Sequence, residues 1–186
     1  MSGLRVYQRN ALEQARYFFR LGHRSVLVQL ATGLGKTRIF AEACRGHVLL
    51  DGKVLVVTPR RELVAQAART LDEIGLFLER DVFVRSIQGL LASGPPFEDI
   101  TMIVIDEARH FVADEWSKVR AMFPDALVLG FDATPERGDG RGLGAMFEKM
   151  VEGLPIAAAS LRRESPTSAP RLLKSMIVTS DMIVQK

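Results

Sequence analysis

Short apolar runs recur along the chain at residues 25–30, 54–58, 82–85, 102–106 and 127–131, with segments of helical length between them. Several are apolar without alternation, as in Val54-Leu55-Val56-Val57 and Met102-Ile103-Val104-Ile105. A strand of that kind is buried on both faces. Helices are expected over residues 6–21, 35–45, 61–78, 87–92 and 114–122. A last helical segment is expected at 145–150, after a glycine-rich stretch. Strand and helix in strict alternation predict an α/β fold. Its sheet should be mainly parallel, with helices on both faces and right-handed crossovers. Ligands of such sheets bind at the carboxyl ends of the strands. Two chemically distinctive stretches fall there.

The first follows the run at 25–30. Ala31-Thr32-Gly33-Leu34-Gly35-Lys36-Thr37 leads into a helix. Small residues let backbone N–H groups turn toward an anion, and a helix N-terminus behind them adds positive potential. Lys36 can reach β and γ phosphates, and the Thr37 hydroxyl can ligate magnesium. The stricter form of this loop has glycine at position 30, where this chain has Leu30. Thr32, Gly33, Leu34, Gly35, Lys36 and Thr37 are therefore the candidate ATP-binding residues. The second stretch ends the run at 102–106 with Asp106-Glu107-Ala108-Arg109-His110. An apolar strand that delivers two adjacent carboxylates is the Walker B arrangement. Asp106 would hold magnesium and Glu107 would orient or deprotonate the attacking water. Lys36, Asp106 and Glu107 form the candidate catalytic set, with Thr37 and Asp106 as metal ligands.

Charge and composition bound the remaining classes. The chain has 186 residues and a formal charge of +3. Residues 160–186 hold five basic and two acidic side chains, so residues 1–159 are neutral. A nucleic-acid surface on the main body must therefore be local rather than a bulk basic field. A single cysteine, Cys44, rules out an internal disulfide and a four-cysteine zinc site. The opening MSGLRVYQRN lacks the apolar core of a secretory leader, and no apolar run nears the roughly 20 residues of a membrane helix. A cytoplasmic protein with no membrane partner is expected. The regular pattern stops after Gly153, which divides the chain into a domain at 1–154 and a basic, poorly patterned tail at 155–186.

With these residues in place, the chain resembles the first RecA-like lobe of superfamily two DEAD/DEAH-like helicases, in the branch of the type III restriction-enzyme helicase subunit. Four further stretches carry the resemblance. Leu4-Arg5-Val6-Tyr7-Gln8 is similar to the Q-motif, which implies that Gln8 and Arg5 hold the adenine side of ATP. Val57-Thr58-Pro59-Arg60-Arg61-Glu62-Leu63 is similar to motif Ia, and Val84-Arg85-Ser86-Ile87-Gln88-Gly89 to motif Ib. These imply nucleic-acid contacts by Thr58, Pro59, Arg60, Ser86 and Gln88. Leu129-Gly130-Phe131-Asp132-Ala133-Thr134-Pro135-Glu136-Arg137 is similar to motif III, which couples hydrolysis to movement. The resemblance implies a P-loop NTPase fold, ATP and Mg2+ as cofactors, and single- or double-stranded DNA bound without sequence preference.

Three departures shape the expectations. Motif II closes with Arg109, where the family usually has His or Asp. Motif III opens with Asp132, where it usually has Ser or Thr. The usual neutral contact between these positions would become an ion pair, so Arg109, Asp132 and Thr134 are the candidate coupling residues. The third departure is the missing second RecA-like lobe, which would need another domain of ~150 residues. The implied function is ATP hydrolysis coupled to movement on DNA, weak in the isolated lobe and incomplete without a second RecA-like lobe, which a partner chain could carry. The alternatives are a nucleotide-gated nucleic-acid-binding or regulatory module, and a truncated gene product. Trp116, His23, His47 and Cys44 are expected to be structural.

Overall fold

The computed structural model describes residues 3–96, 99–133 and 143–153. Six strands form one sheet: β1 (Ser25–Gln29), β2 (Lys53–Thr58), β3 (Val82–Ser86), β4 (Ile100–Asp106), β5 (Leu127–Asp132) and β6 (Lys149–Glu152). Their order is β3-β2-β4-β5-β1-β6, and every pairing is parallel. All six strands therefore point their carboxyl ends to one edge, where the loops after β1, β2, β3, β4 and β5 gather.

Alternate residues of each central strand enter two separate cores, which explains their unbroken apolar runs. Val26 and Val28, Val54 and Val56, Val104, Leu129 and Phe131 pack under α1 (Val6–Arg20), α2 (Lys36–Val48) and α3 (Arg61–Asp72). Leu27, Leu55 and Val57, Ile103 and Ile105, and Val128 pack on the other face. There they meet α4 (Ile87–Ser93) and α5 (Ala113–Met122). Trp116 lies buried in that second core, as expected of a packing residue. Gly130 also faces it, and the Phe147 ring occupies the space a β-carbon would need.

Two expected elements differ. α3 ends at Asp72 rather than near residue 78, because the chain turns at Gly75 with φ +80°. The segment 145–150 is not helical: a 3₁₀ turn at Leu143–Ala145 leads into β6, which pairs with β1. Its sequence shows no strand period because Val151 is its one buried residue. The tail at 155–186 and Thr134 lie outside the described residues. Among the described residues, no helix is long and apolar enough to cross a membrane.

Candidate functional site

The phosphate-type loop is held in place from below by the sheet. Leu30 donates its N–H to the Asp132 carbonyl oxygen at 2.8 Å and buries its side chain, so this position works as a strand extension and tolerates leucine. Gly33 (φ +82°) and Gly35 (φ +77°) then bend the chain through left-handed conformations. Leu34 N–H closes a turn on Ala31 O at 3.3 Å. The N–H groups of Gly33, Gly35, Lys36 and Thr37 donate no hydrogen bond among the described residues. They lead directly into α2, whose first turn carries no acidic residue. This donor cluster fits a phosphate chain.

The first helix is tied to the same loop. Gln8 is buried; its amide N–H donates to Leu34 O at 3.0 Å, and its amide oxygen accepts from Arg5 N–H at 2.8 Å. Tyr7 donates its hydroxyl to the same Leu34 oxygen at 2.9 Å. A β-carbon on Gly35 would lie 2.6 Å from the Gln8 amide nitrogen. Glycine at 35 therefore serves both the turn and the close approach of Gln8. Tyr7 is the residue that sequence reasoning left out of the site. Its signal was adjacency to Gln8 at the start of an amphipathic helix. Arg5 itself is exposed at the helix start.

The carboxylates arrive from the end of β4, two strands from β1 across β5. Asp106 accepts the Glu107 N–H at 3.1 Å. Burial pushes the Asp106 carboxyl above the usual aspartate range, and the neighbouring Glu107 charge adds to the effect. Glu107 adopts φ +53°, a conformation that costs a non-glycine residue about 1–3 kcal/mol and clusters at functional sites. Its Oε1 accepts a hydrogen bond from Lys36 Nζ at 2.9 Å, and its buried Oε2 lies 2.9 Å from Arg109 Nη2 as an ion-pair contact without a hydrogen bond. Burial works to raise its pKa, but the Lys36 hydrogen bond and charge, with Arg109 and His110, hold it below the usual glutamate range.

Arg109 continues the chain of charges. Its Nη1 lies 3.0 Å from Oδ1 of the fully buried Asp132. The ion pair expected from the two motif departures is thus present. Asp132 also accepts the backbone N–H of Arg109 and of Ala133, each at 2.6 Å. Lys36, Glu107, Arg109 and Asp132 form one alternating series of charges across the ends of β1, β4 and β5, beside Asp106. Among the described residues, no group of three or more His, Cys, Asp or Glu side chains could by itself hold a metal ion. A cation at Thr37 and Asp106 would thus depend on phosphate oxygens as further ligands, as magnesium commonly does.

The residues expected to meet nucleic acid sit at the same edge but divide by exposure. Thr58 and Ser86 face each other in the β2–β3 register and are both buried. Thr58 donates its hydroxyl to Arg60 O at 3.0 Å, and Ser86 caps α4 by accepting Gly89 N–H at 3.1 Å. Pro59 is buried beside them, whereas Arg60 and Gln88 are exposed.

The sequence model of the family described as type III restriction enzyme, res subunit, matches residues 2–89 and 79–137. The chain is 32% identical over 177 residues to ATP-dependent helicase IRC3 of Saccharomyces cerevisiae, covering 80% of this chain and 26% of that protein. Among solved structures, it resembles the UvsW helicase of bacteriophage T4 with a TM-score of 0.68 and 19% identity, covering 81% of this chain and 60% of the other. It also resembles the type ISP restriction-modification enzyme LlaGI, solved with a DNA substrate mimic, with a TM-score of 0.68 and 19% identity, covering 87% and 21%. The structural likenesses show a RecA-like fold. The chain spans between 26% and 30% of the length of the curated relatives it matches.

Proposed function

The chain belongs to the type III restriction enzyme res-subunit family, as a first RecA-like lobe of the superfamily two helicase kind, and from that premise we propose that it binds ATP with magnesium and couples hydrolysis to movement on DNA in the cytoplasm. The observation that carries this reading is the convergence of Lys36, Asp106 and Glu107 beside four uncommitted backbone donors at the ends of β1 and β4. Gly33 to Thr37 would cradle the phosphates, and Lys36 would exchange its Glu107 partner for a phosphate oxygen. Thr37 and Asp106 would hold the magnesium ion, whose bound charge offsets that of the phosphates. Glu107 would orient the attacking water and accept its proton. Gln8 and Arg5 would sit at the adenine side, with Gln8 also bracing the loop.

Arg60 and Gln88, both exposed, are the side chains best placed to meet a phosphodiester backbone. Thr58, Pro59 and Ser86 would shape the loops that present them, offering backbone groups rather than hydroxyls. Arg109, Asp132 and Thr134 would link the nucleotide site to the DNA-facing edge. The complete ATPase would assemble when a second RecA-like lobe faces this one, in the same polypeptide or from a partner chain.

The test is a steady-state ATPase assay of the full 186-residue chain, with and without single- and double-stranded DNA. Slow turnover is expected, because an arginine finger from a facing lobe contributes roughly 10³–10⁵ in related sites. Fast, DNA-stimulated turnover by a demonstrated monomer would contradict the two-lobe reading.

A further inference from the structure

Glu107 carries a cation on each of its carboxylate oxygens: Lys36 Nζ on Oε1 and Arg109 Nη2 on Oε2, both at 2.9 Å. The same guanidinium places Nη1 3.0 Å from Oδ1 of Asp132. Arg109 therefore bridges a partly exposed carboxylate and a fully buried one. Asp132 does not depend on that guanidinium for its position. The backbone N–H groups of Arg109 and Ala133 hold it independently, each at 2.6 Å. Asp132 is a fixed post at the end of β5, and the Arg109 side chain is an arm that reaches from it to Glu107. The guanidinium serves both carboxylates at once, by a hydrogen bond to Asp132 Oδ1 and by its charge beside Glu107 Oε2, which has no hydrogen bond of its own among the described residues.

We propose that Arg109 is a positioning residue for Glu107, braced from the buried Asp132, which holds the carboxylate in place when Lys36 is drawn away to a phosphate. The proposal rests on the assignment of Lys36 to phosphate and of Glu107 to the attacking water. It differs from a role in which Arg109 only links motif II to motif III, because that link runs through Asp132 and needs no contact with Glu107. Two consequences follow from the geometry. First, Glu107 shares its charge between two cations, so it binds Lys36 less tightly than it would alone, and Arg109 eases the transfer of Lys36 to phosphate. Second, Glu107 keeps one cation after that transfer, and its φ of +53° stays fixed by the residue two positions on.

The test is a double-mutant cycle on nucleotide affinity, read by titrating a fluorescent ATP analogue with Mg2+ into the full chain. Arg109→Gln is combined with Asp132→Asn, so that no buried carboxylate is left unpaired, and the pair is made with and without Glu107→Gln. Thermal melting follows each protein. With Glu107 present, the paired substitution should lower affinity by about threefold or more; with Glu107→Gln it should change nothing further. Equal effects in both backgrounds, or affinity unchanged or tightened with Glu107 present, would overturn the proposal. If the pair does not fold, Arg109→Met with Asp132→Thr replaces it in the same cycle. Lys36→Ala separates the two levels. If it abolishes binding while the cycle is additive, the brace alone fails. If Lys36→Ala binds nucleotide as tightly as the unaltered chain, the site assignment fails and the brace with it.

Discussion

Lys36 Nζ and Glu107 Oε1 lie 2.9 Å apart, so the two side chains proposed to handle phosphate and water are each other's partners. They are 71 residues apart in sequence, and the parallel sheet brings them together by ending β1 and β4 at one edge. The adjacent Asp106 is in the opposite electrostatic condition. Burial raises its pKa, whereas Lys36 lowers that of Glu107.

Neighbouring substitutions should accordingly move stability in opposite directions. Asp106 has a folded pKa above its unfolded one, so its favourable contribution exists in acid and is lost as pH rises through the folded value. Asp106→Asn should stabilise the lobe at neutral pH by about 0.5–2 kcal/mol, with the gain vanishing in acid. Glu107 is shifted the other way. Its contribution is present at neutral pH and is lost as pH falls through its lowered folded value. Glu107→Gln should destabilise at neutral pH by less than about 1 kcal/mol, since a quarter of the side chain is exposed to screening solvent. Urea melts at several pH values check both signs.

Gln8 should matter to stability as well as to nucleotide. It is 3% exposed and joins Arg5 N–H to Leu34 O. Gln8→Ala removes the acceptor of Arg5 N–H and leaves Leu34 O with the Tyr7 hydroxyl alone, and the two lost bonds together should cost about 1–3 kcal/mol. Tyr7→Phe removes one of two donors to Leu34 O and should cost only about 0.5–1.5 kcal/mol. Equal melting of Gln8→Ala and the unaltered chain would show that α1 does not anchor the loop.

The Arg109–Asp132 pair should be strongly non-additive. Arg109→Ala strands a carboxylate that is 0% exposed, a defect worth about 3–5 kcal/mol in a fully buried pair. The cost should fall below that range here, because two backbone N–H groups still hold Asp132 and the Arg109 side chain is 30% exposed. Asp132→Asn in the Arg109→Ala background should recover part of the loss. Simple addition of the two effects in denaturant melts would contradict the pairing.

Exposure divides the proposed DNA contacts into two predicted phenotypes. Arg60→Ala should weaken binding to any DNA sequence and reduce the salt slope by about one, with melting unchanged. Thr58→Val should instead lower stability by about 1 kcal/mol, because it removes the buried hydroxyl bond to Arg60 O. Loss of DNA binding on removing residues 160–186, with none on Arg60→Ala, would point to tail electrostatics instead.

The central strands were legible because burial on both faces leaves an unbroken apolar signature, as in residues 54–57 and 102–105. β6 was not, since an edge strand with one buried residue has no period and the Ala, Met, Glu and Lys in and before it favour helix. The Arg109–Asp132 pair was legible as two motif departures of opposite charge. The bond from Gln8 to Leu34 was not, because it depends on how α1 packs over the loop. The left-handed backbone of Glu107 was equally hidden, since glutamate carries no local preference for it.

Isothermal titration of MgATP into the full chain, beside its Lys36→Ala variant, tests most directly whether this sheet edge is a nucleotide site. The account predicts saturable one-to-one binding that Lys36→Ala abolishes while melting shows the variant folded. Absence of binding by the folded, unaltered chain, or equal binding by Lys36→Ala, would contradict it.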